Sequence, residues 1–354
     1  MSYSSWCVVA GILIACLESQ AQSGRAPTLR VLGKLPDAPD ALCSFKFSSG
    51  QEGWAWEAGG RYLWTTEDGG SSWTRVALPA AVKSGDWVEW VSPISAKSAR
   101  VVTDGGFTVF ETGDRGANWT VIKAPVPQER FAGLQFDGAR GWAAIGSDYN
   151  SVRGFLHQEI YLTTDGARSW QRAWRGETAW NGKSQTVVGG FQFADADNGV
   201  AFGELGVLKT SDGGRTWTRV PYQFSDAGGD QSDLIAQVFF VSPLRGWVLK
   251  QNGSIFRTED GGRIWVRIVN GARSPAIEGG SWTCQLWFES ASRGWLIGSN
   301  GKLVETEDGG NHWLRVEGAK KGTEFVNLSC SRNFGCRFSD FDRNLYGVDP
   351  PTEK

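Results

Sequence analysis

One eight-residue phrase, Thr-x-Asp-x-Gly-x-x-Trp with small variations, occurs six times along the chain. Its aspartates are Asp68, Asp114, Asp165, Asp212, Asp260 and Asp308, and its tryptophans are Trp73, Trp119, Trp170, Trp217, Trp265 and Trp313. Successive aspartates lie 46, 51, 47, 48 and 48 residues apart. A repeat of this length with strand-like content predicts a ring of similar sheets, a β-propeller.

The phrase is typical of a tight hairpin, because short β-type runs flank it, such as residues 61–65 and 73–76 around the first copy. Its glycine supplies a positive φ angle, and its aspartate and threonine side chains can accept the backbone N–H groups of the turn. The tryptophan that follows is predicted to act as an apolar plug. We therefore interpret these aspartates as structural.

A second phrase, Gly-Trp after an alternating apolar strand, lies upstream of the first. It occurs at Gly53-Trp54, Gly141-Trp142, Gly246-Trp247 and Gly294-Trp295, and the second and fourth repeats weaken it to Ala99-Arg100 and Gly199-Val200. Each repeat then contains four short strands. One repeat is predicted to form one propeller blade.

A seventh repeat supplies three strands, at residues 326–328, 335–338 and 345–348, and has no second hairpin phrase. Residues 28–32 have the pattern of the missing outer strand, and their pairing there would remove an exposed sheet edge. We predict an all-β, seven-bladed propeller over residues 28–348 that this N-terminal strand closes. The predicted repeats are 41–76, 87–122, 132–173, 187–220, 234–268, 282–316 and 325–348 plus 28–32.

The first 21 residues are predicted to be a secretory leader, since an apolar run from Trp6 to Leu17 is followed by small and polar residues. Residues 13–16 also fit a lipoprotein box, in which Cys16 would carry the lipid. The protein is accordingly expected in the periplasm or outside the cell, either free or anchored through Cys16. Residues 349–354 are predicted to be a tail.

Four cysteines remain outside the leader. Cys330 and Cys336 flank a short turn in the seventh repeat, so an intrablade disulfide is expected in an oxidising compartment. Cys43 and Cys284 hold equivalent places in repeats one and six, which a whole blade separates. We expect no bond between them.

Length variation between repeats is concentrated on the face opposite the repeated hairpins, and loops that vary on a rigid scaffold are the usual place for recognition. The residues predicted for partner binding on that face are Tyr149, Arg153, Trp180, Lys183, Tyr222, Phe224, Asp226, Asp230, Arg273 and Trp282. Such aromatics suit a protein hot spot or sugar stacking. Some of them would simply cover the top of the ring.

Signals for catalysis are few. A net charge of −2 with scattered lysines and arginines argues against a nucleic acid partner. The two histidines, His157 and His312, share no metal-ligand spacing, and no nucleophile elbow or phosphate loop occurs. We expect no metal and no cofactor. Asp226 and Asp230 are the first candidates for a glycosidase carboxylate pair.

The repeated hairpin phrase resembles the Asp box of the bacterial neuraminidase repeat superfamily. Together with Gly-Trp at a period near 48, the chain is most similar to the photosystem II stability and assembly factor family. That resemblance implies a seven-bladed, non-enzymatic propeller that binds protein assembly intermediates of a membrane complex. The family uses an arginine-rich patch, although arginines are dispersed in this sequence. We expect a monomer. Sialidases, xyloglucanase-type hydrolases and sortilin-type receptors fit less well. The alternative is an exported carbohydrate-binding or glycoside hydrolase-like propeller.

Overall fold

The computed structural model is built from β-strands. It describes residues 29–37, 43–57, 60–83, 86–103, 108–126, 130–147, 157–176, 188–203, 206–221, 223–225, 235–250, 252–269, 285–298, 301–316, 320, 322–331 and 333–348. Within those ranges, no helix is long and apolar enough to cross a membrane. The segments predicted as leader and tail, 1–21 and 349–354, lie outside the described residues.

The strands run in chain order from blade to blade. The first strand is β1 (Arg30–Lys34). Blade 1 contains β2 (Cys43–Phe47), β3 (Gly53–Glu57), β4 (Leu63–Thr66) and β5 (Thr74–Val76). Blade 2 contains β6 (Val88–Pro93), β7 (Ala99–Thr103), β8 (Thr108–Thr112) and β9 (Thr120–Ile122). Blade 3 contains β10 (Arg130–Asp137), β11 (Arg140–Ser147), β12 (His157–Thr163) and β13 (Gln171–Gly176).

The second half of the ring repeats the arrangement. Blade 4 contains β14 (Gly190–Phe193), β15 (Gly199–Gly203), β16 (Gly206–Thr210) and β17 (Thr218–Arg219). The short strand β18 (Gln223–Phe224) precedes blade 5, which contains β19 (Ile235–Phe240), β20 (Gly246–Lys250), β21 (Ile255–Thr258) and β22 (Ile264–Val269). Blade 6 contains β23 (Gln285–Phe288), β24 (Gly294–Ile297), β25 (Leu303–Thr306) and β26 (Leu314–Arg315). Blade 7 contains β27 (Phe325–Ser331), β28 (Gly335–Asp340) and β29 (Asn344–Val348).

The seven blades form the predicted propeller, and β1 completes the seventh of them. The last sheet has the order β1-β29-β28-β27, and Arg30 pairs with Gly347 in an antiparallel ladder. The closing strand therefore begins and ends two residues later than the predicted segment 28–32. This pairing explains why the seventh repeat has no hairpin phrase: its outer strand comes from the other end of the chain, so no hairpin joins its last two strands.

Blade 5 has a strand that the sequence did not predict. β18 pairs in parallel with the outer strand β22, and Gln223 and Phe224 lie beside Ile264 and Trp265. The N–H of Gln223 donates to the carbonyl of Arg263 and extends this ladder. The link between blades 4 and 5 therefore covers part of the outer edge of blade 5.

The core lies between blades, because both faces of each sheet are covered by its neighbours. Between blades 5 and 6, for example, Trp247 and Leu249 pack on Leu286 and Phe288, all of them buried. Similar clusters lie between the other neighbouring blades. Burial of a large apolar side chain contributes about 1.5 to 3 kcal/mol, so these contacts between blades hold the ring together.

A disulfide joins Cys330 and Cys336 across the turn between β27 and β28. It lies in the blade that is completed by a strand from elsewhere in the chain. Cys284 is outside the described residues, so its predicted separation from Cys43 stays a prediction.

Candidate partner-binding surfaces

The six repeated hairpins use their polar side chains within their own turns. In each copy the threonine hydroxyl donates to the aspartate and accepts the N–H four residues further on, at 2.7 to 3.0 Å. The aspartate Oδ1 accepts the N–H of the residue before the tryptophan, such as Ser72 for Asp68 at 2.9 Å. These carboxylates are engaged with backbone donors rather than directed at a ligand.

Hydrogen bonding keeps these aspartates ionised. The side chain and backbone of Ser169 donate to Asp165 and lower the pKa of its carboxyl to about 2. Burial raises the pKa of Asp212, but the hydrogen bonds from Thr216 outweigh it and lower the pKa to about 2. In the sixth copy, Nδ1 of His312 lies 2.5 Å from Asp308 Oδ2, and the histidine itself is exposed. His157 begins β12, and its side chain is outside the described residues.

Asp165→Asn is expected to weaken the fold in a pH-dependent way. A carboxyl whose folded-state pKa of about 2 lies below its ordinary value of 3.8 stabilises the fold above the ordinary value, and this stabilisation is lost as the pH falls through about 2. The free energy of unfolding should therefore differ between wild type and variant at pH 6, and the difference should shrink below about pH 4. Urea denaturation at several pH values measures it. Ser169→Ala, which removes one donor, should fall between the two proteins, and a gap independent of pH would contradict this account.

Three of the four Gly-Trp tryptophans bind their blade to a neighbour. Their indole N–H groups donate to a carbonyl in the turns of another blade: Trp54 to Ser95, Trp142 to Gly213 and Trp247 to Gly309, at 2.8 to 3.0 Å. Two of these rings also stack on a phenylalanine of the next inner strand, Trp142 on Phe193 at 3.9 Å and Trp247 on Phe288 at 3.6 Å. The Gly-Trp phrase thus encodes contact between blades.

A cation meets the neighbouring phenylalanine in both weakened repeats: Arg100 holds the tryptophan position of blade 2, whereas Val200 holds it in blade 4 and the cation is its cross-strand partner Lys209. Arg100 of blade 2 lies 3.7 Å from the ring centroid of Phe136 and forms an ion pair with Glu111. Lys209 of blade 4 lies 5.2 Å from the ring centroid of Phe240, and its ammonium donates to the carbonyl of Pro243. Cation–π contacts therefore replace ring stacking at these two interfaces.

The hairpin tryptophans meet the same phenylalanines from their own blade. Trp73, Trp170, Trp217, Trp265 and Trp313 each lie at 5.9 to 6.2 Å, edge to face, from the inner-strand phenylalanine of their blade. Trp217 and Trp265 are buried, whereas the other hairpin tryptophans are half-buried. This rim is consequently a packed surface.

Most residues predicted for partner binding lie outside the described residues. They are Tyr149, Arg153, Trp180, Lys183, Tyr222, Asp226, Asp230, Arg273 and Trp282. Phe224 is described, and it differs from the expectation of an exposed loop residue. It lies in β18, half-buried, with its ring 4.5 Å from that of Phe256. Its neighbour Lys250 lies 4.1 Å from the Phe224 ring centroid.

The described arginines include two separate ion-paired groups, on blades 6 and 3. Arg293 pairs with Glu289 and Glu305 on blade 6, whereas Arg172 and Arg175 flank Glu159 on blade 3. Within the described ranges, no group of three or more histidine, cysteine or acidic side chains is placed to hold a metal ion.

The inner strands leave a cavity of about 410 Å³ at the axis of the ring. Its walls come from blades 1 to 4, and its lining includes Lys46, Trp90, Gln135, Phe136 and Phe191. Lys46 carries the only charge among the described residues that line it. Its side chain reaches the water of the channel, and the protein around it lowers the pKa of its ammonium group. Sequence reasoning missed this residue, because Lys46 stands between Phe45 and Phe47 and looks like the outward position of an ordinary strand.

A groove of about 680 Å³ on blade 1 is a second described concavity. Arg75 lies 4.4 Å from the ring centroid of Tyr62, which in turn stacks on Trp64 at 5.8 Å. Arg61 donates to the carbonyls of Val82, Lys83 and Asp86. An arginine–tyrosine pair beside a polar groove can contact a peptide or a sugar alike.

The fold defines a seven-bladed β-propeller with a cavity at its axis and a groove on blade 1. Comparison with solved structures gives similar propellers. YCF48 bound to a D1 peptide superposes with a TM-score of 0.62 and 18% identity, covering 93% of this chain and 96% of that one. YCF48 from Cyanidioschyzon merolae has a TM-score of 0.62 and 16% identity, covering 91% and 99%.

Other comparisons find similarity to more distant proteins. A streptogramin B lyase shares the fold with a TM-score of 0.59 and 10% identity, over 92% of this chain and 98% of that one. The model of the Sortilin-Vps10 family, described as sortilin, neurotensin receptor 3, matches residues 61–192. No curated protein sequence matches significantly. The two YCF48 structures and the Sortilin-Vps10 match support the predicted resemblance to photosystem II stability factor-like propellers at the level of the fold.

Proposed function

We propose that this chain is a non-enzymatic propeller that binds protein partners outside the cytoplasm, during assembly of a membrane complex. The observation that carries the proposal is the shared architecture with YCF48, whose structure has been solved with a D1 peptide bound. A propeller of this architecture therefore offers a surface that accepts a polypeptide. The hairpin rim is occupied by its own hydrogen bonds, which leaves the opposite face and the channel for the partner.

Export is part of the proposal, and the disulfide between Cys330 and Cys336 supports it, because such bonds persist in oxidising compartments. We propose that the first 21 residues direct export and that Cys16 either is removed with them or carries a lipid. Fractionation of cells and mass spectrometry of the mature N-terminus decide between the two forms. Retention of the full chain in the cytoplasm would contradict export.

Capture of a partner from the native membrane fraction tests the binding function. Immobilised wild-type protein is expected to retain a specific membrane-complex subunit after crosslinking. Trp180→Ala, on the proposed binding face, should weaken capture by the roughly 30-fold that corresponds to a hot spot of about 2 kcal/mol. Leu314→Ala is the matched control, because Leu314 is 70% exposed on an outer strand away from that face.

Two outcomes of this experiment count against the proposal. One is recovery of no protein together with retention on a polysaccharide column, which would favour a carbohydrate ligand. The other is equal loss of capture in Trp180→Ala and Leu314→Ala, because a general effect on folding would then explain it.

A further inference from the structure

The channel wall has two unlike halves. In the half formed by blades 4 to 7, glutamine side chains of the inner strands bridge successive blades. Gln192 bonds both N–H and carbonyl of Phe240, Gln237 does the same for Leu286, and Gln285 accepts from the N–H of Leu328. These amides occupy backbone groups that the inner sheet edge would otherwise expose.

The half formed by blades 1 to 4 has no corresponding bridge from an inner-strand amide among the described residues. The cavity of about 410 Å³ lies here. Gly133, Gly189 and Gly190 line it, so part of the wall is bare backbone. A side chain at Gly189 would meet nothing within 4 Å, which shows open space in front of that backbone. The N–H of Gly189 already donates to the carbonyl of Phe202, so this part of the wall offers space rather than a free backbone donor.

Lys46 stands in this same half and forms no hydrogen bond or ion pair with another described residue. Because the Lys46 side chain is exposed to the channel, a carboxylate that enters the cavity can accept charge-assisted hydrogen bonds from its ammonium group. The protein around the channel lowers the pKa of the Lys46 ammonium group, and a bound carboxylate would favour its charged form. The cavity thus combines a charge, aromatic side chains and space.

We propose that this half of the channel binds a carboxylate, with Lys46 as its cationic partner. A single lysine is a point charge and suits one carboxylate, whereas phosphate sites more often provide several cations or an arginine fork. The ring faces of Trp90 and Phe191 are available for the carbon chain that bears the carboxylate. The carboxylate belongs either to a free small acid or to an acidic side chain of a bound protein, and only the second source rests on the proposed function.

Calorimetric titration with two probes tests the proposal. The probes are glutarate and a blocked pentapeptide with a central glutamate, and the controls are glutaramide and the same peptide with glutamine. At least one carboxylate probe is expected to bind, and its amide counterpart should bind at least about 10-fold more weakly, since a hydrogen bond to a charged group contributes about 1.5 to 3 kcal/mol. Binding of glutarate alone assigns a small acid, and binding of the peptide assigns a partner side chain.

Variants assign the binding to Lys46. Lys46→Met should weaken the carboxylate probe at least about 10-fold, whereas Lys46→Arg, which keeps the charge, should retain most of the affinity. Lys97→Met is the matched control, because Lys97 is exposed on a hairpin rim. The bound probe should also protect Lys46 from reductive methylation, and this second measurement does not depend on the heat of binding. Equal affinity of wild type and Lys46→Met, or binding of neither carboxylate, would overturn the proposal.

The two proposals fail separately. If Lys46→Met captures the membrane partner as wild type does and neither probe binds, the channel site is wrong and the binding function stands. If wild type captures no protein but glutarate binds through Lys46, the site stands and the proposed function is wrong.

Discussion

Loss of the closing strand is expected to open the ring and unfold the protein. Leu29 and Leu35 flank β1 and are buried, with 5% and 3% of their surface exposed. Replacement of each by alanine should lower the free energy of unfolding by about 2 to 5 kcal/mol, and deletion of residues 29–35 should remove both contributions and the ladder to β29. That loss approaches the whole stability of a typical domain, about 5 to 15 kcal/mol. Urea denaturation and size-exclusion chromatography measure the effect.

Substitutions along the same strand provide the controls. Val31 is 64% exposed, so Val31→Ala should change the free energy of unfolding by no more than about 0.5 kcal/mol. Gly33→Ala should destabilise, because a Cβ there would lie 2.3 Å from the carbonyl oxygen of Gly70 in the first hairpin. An unchanged unfolding curve after deletion of residues 29–35 would show that the stability of the ring does not depend on the pairing of β1 with β29.

Trp247→Ala is expected to have the largest effect of any single substitution between blades. The indole is fully buried, stacks on Phe288 and donates to the carbonyl of Gly309. Truncation of a buried tryptophan costs about 3 to 5 kcal/mol. Chemical denaturation should show this loss, and Trp247→Phe, which keeps a ring but removes the N–H, should lose less.

An exposed tryptophan separates this loss from a general effect of removing an aromatic ring. Trp87 is 41% exposed and bonds only to Glu89 among the described side chains, so Trp87→Ala should cost about 1 kcal/mol or less. If Trp247→Ala and Trp87→Ala were equally stable, the contact between blades 5 and 6 would contribute less to the free energy of unfolding than we expect.

The number of blades and the closure of the ring could be predicted from the sequence, because both are encoded periodically. Each copy of the eight-residue phrase ends its blade with a hairpin, such as the one at Asp68. The hydrogen bonds of that hairpin lie within the eight residues, so they form wherever the phrase occurs. Residues 28–32 have the length and pattern of an outer strand, and the incomplete seventh repeat lacks one. The structure shifts it to Arg30–Lys34.

The features that could not be predicted depend on neighbours from other blades. β18 has no alternating pattern of its own and forms because the edge of β22 is available. The substitution of Trp by Arg100 reads as a weakened repeat, and only the position of Phe136 shows that the guanidinium fills the same place. The sequence around Lys46 is likewise typical of any strand, and only the arrangement of the blades in a ring shows that Lys46 faces the channel. The proposed face was inferred from loop lengths, and most of its residues stay a prediction.

The seam between β1 and β29 also has a consequence for the order of folding. Its partners, Arg30 and Gly347, come from opposite ends of the described chain, so this contact has a very large sequence separation, and contacts of that kind slow folding. The last blade must be synthesised before the first strand finds its place. Until then the chain exposes unpaired sheet edges that invite aggregation. A protein built this way gains from a chaperone that holds the unfinished ring.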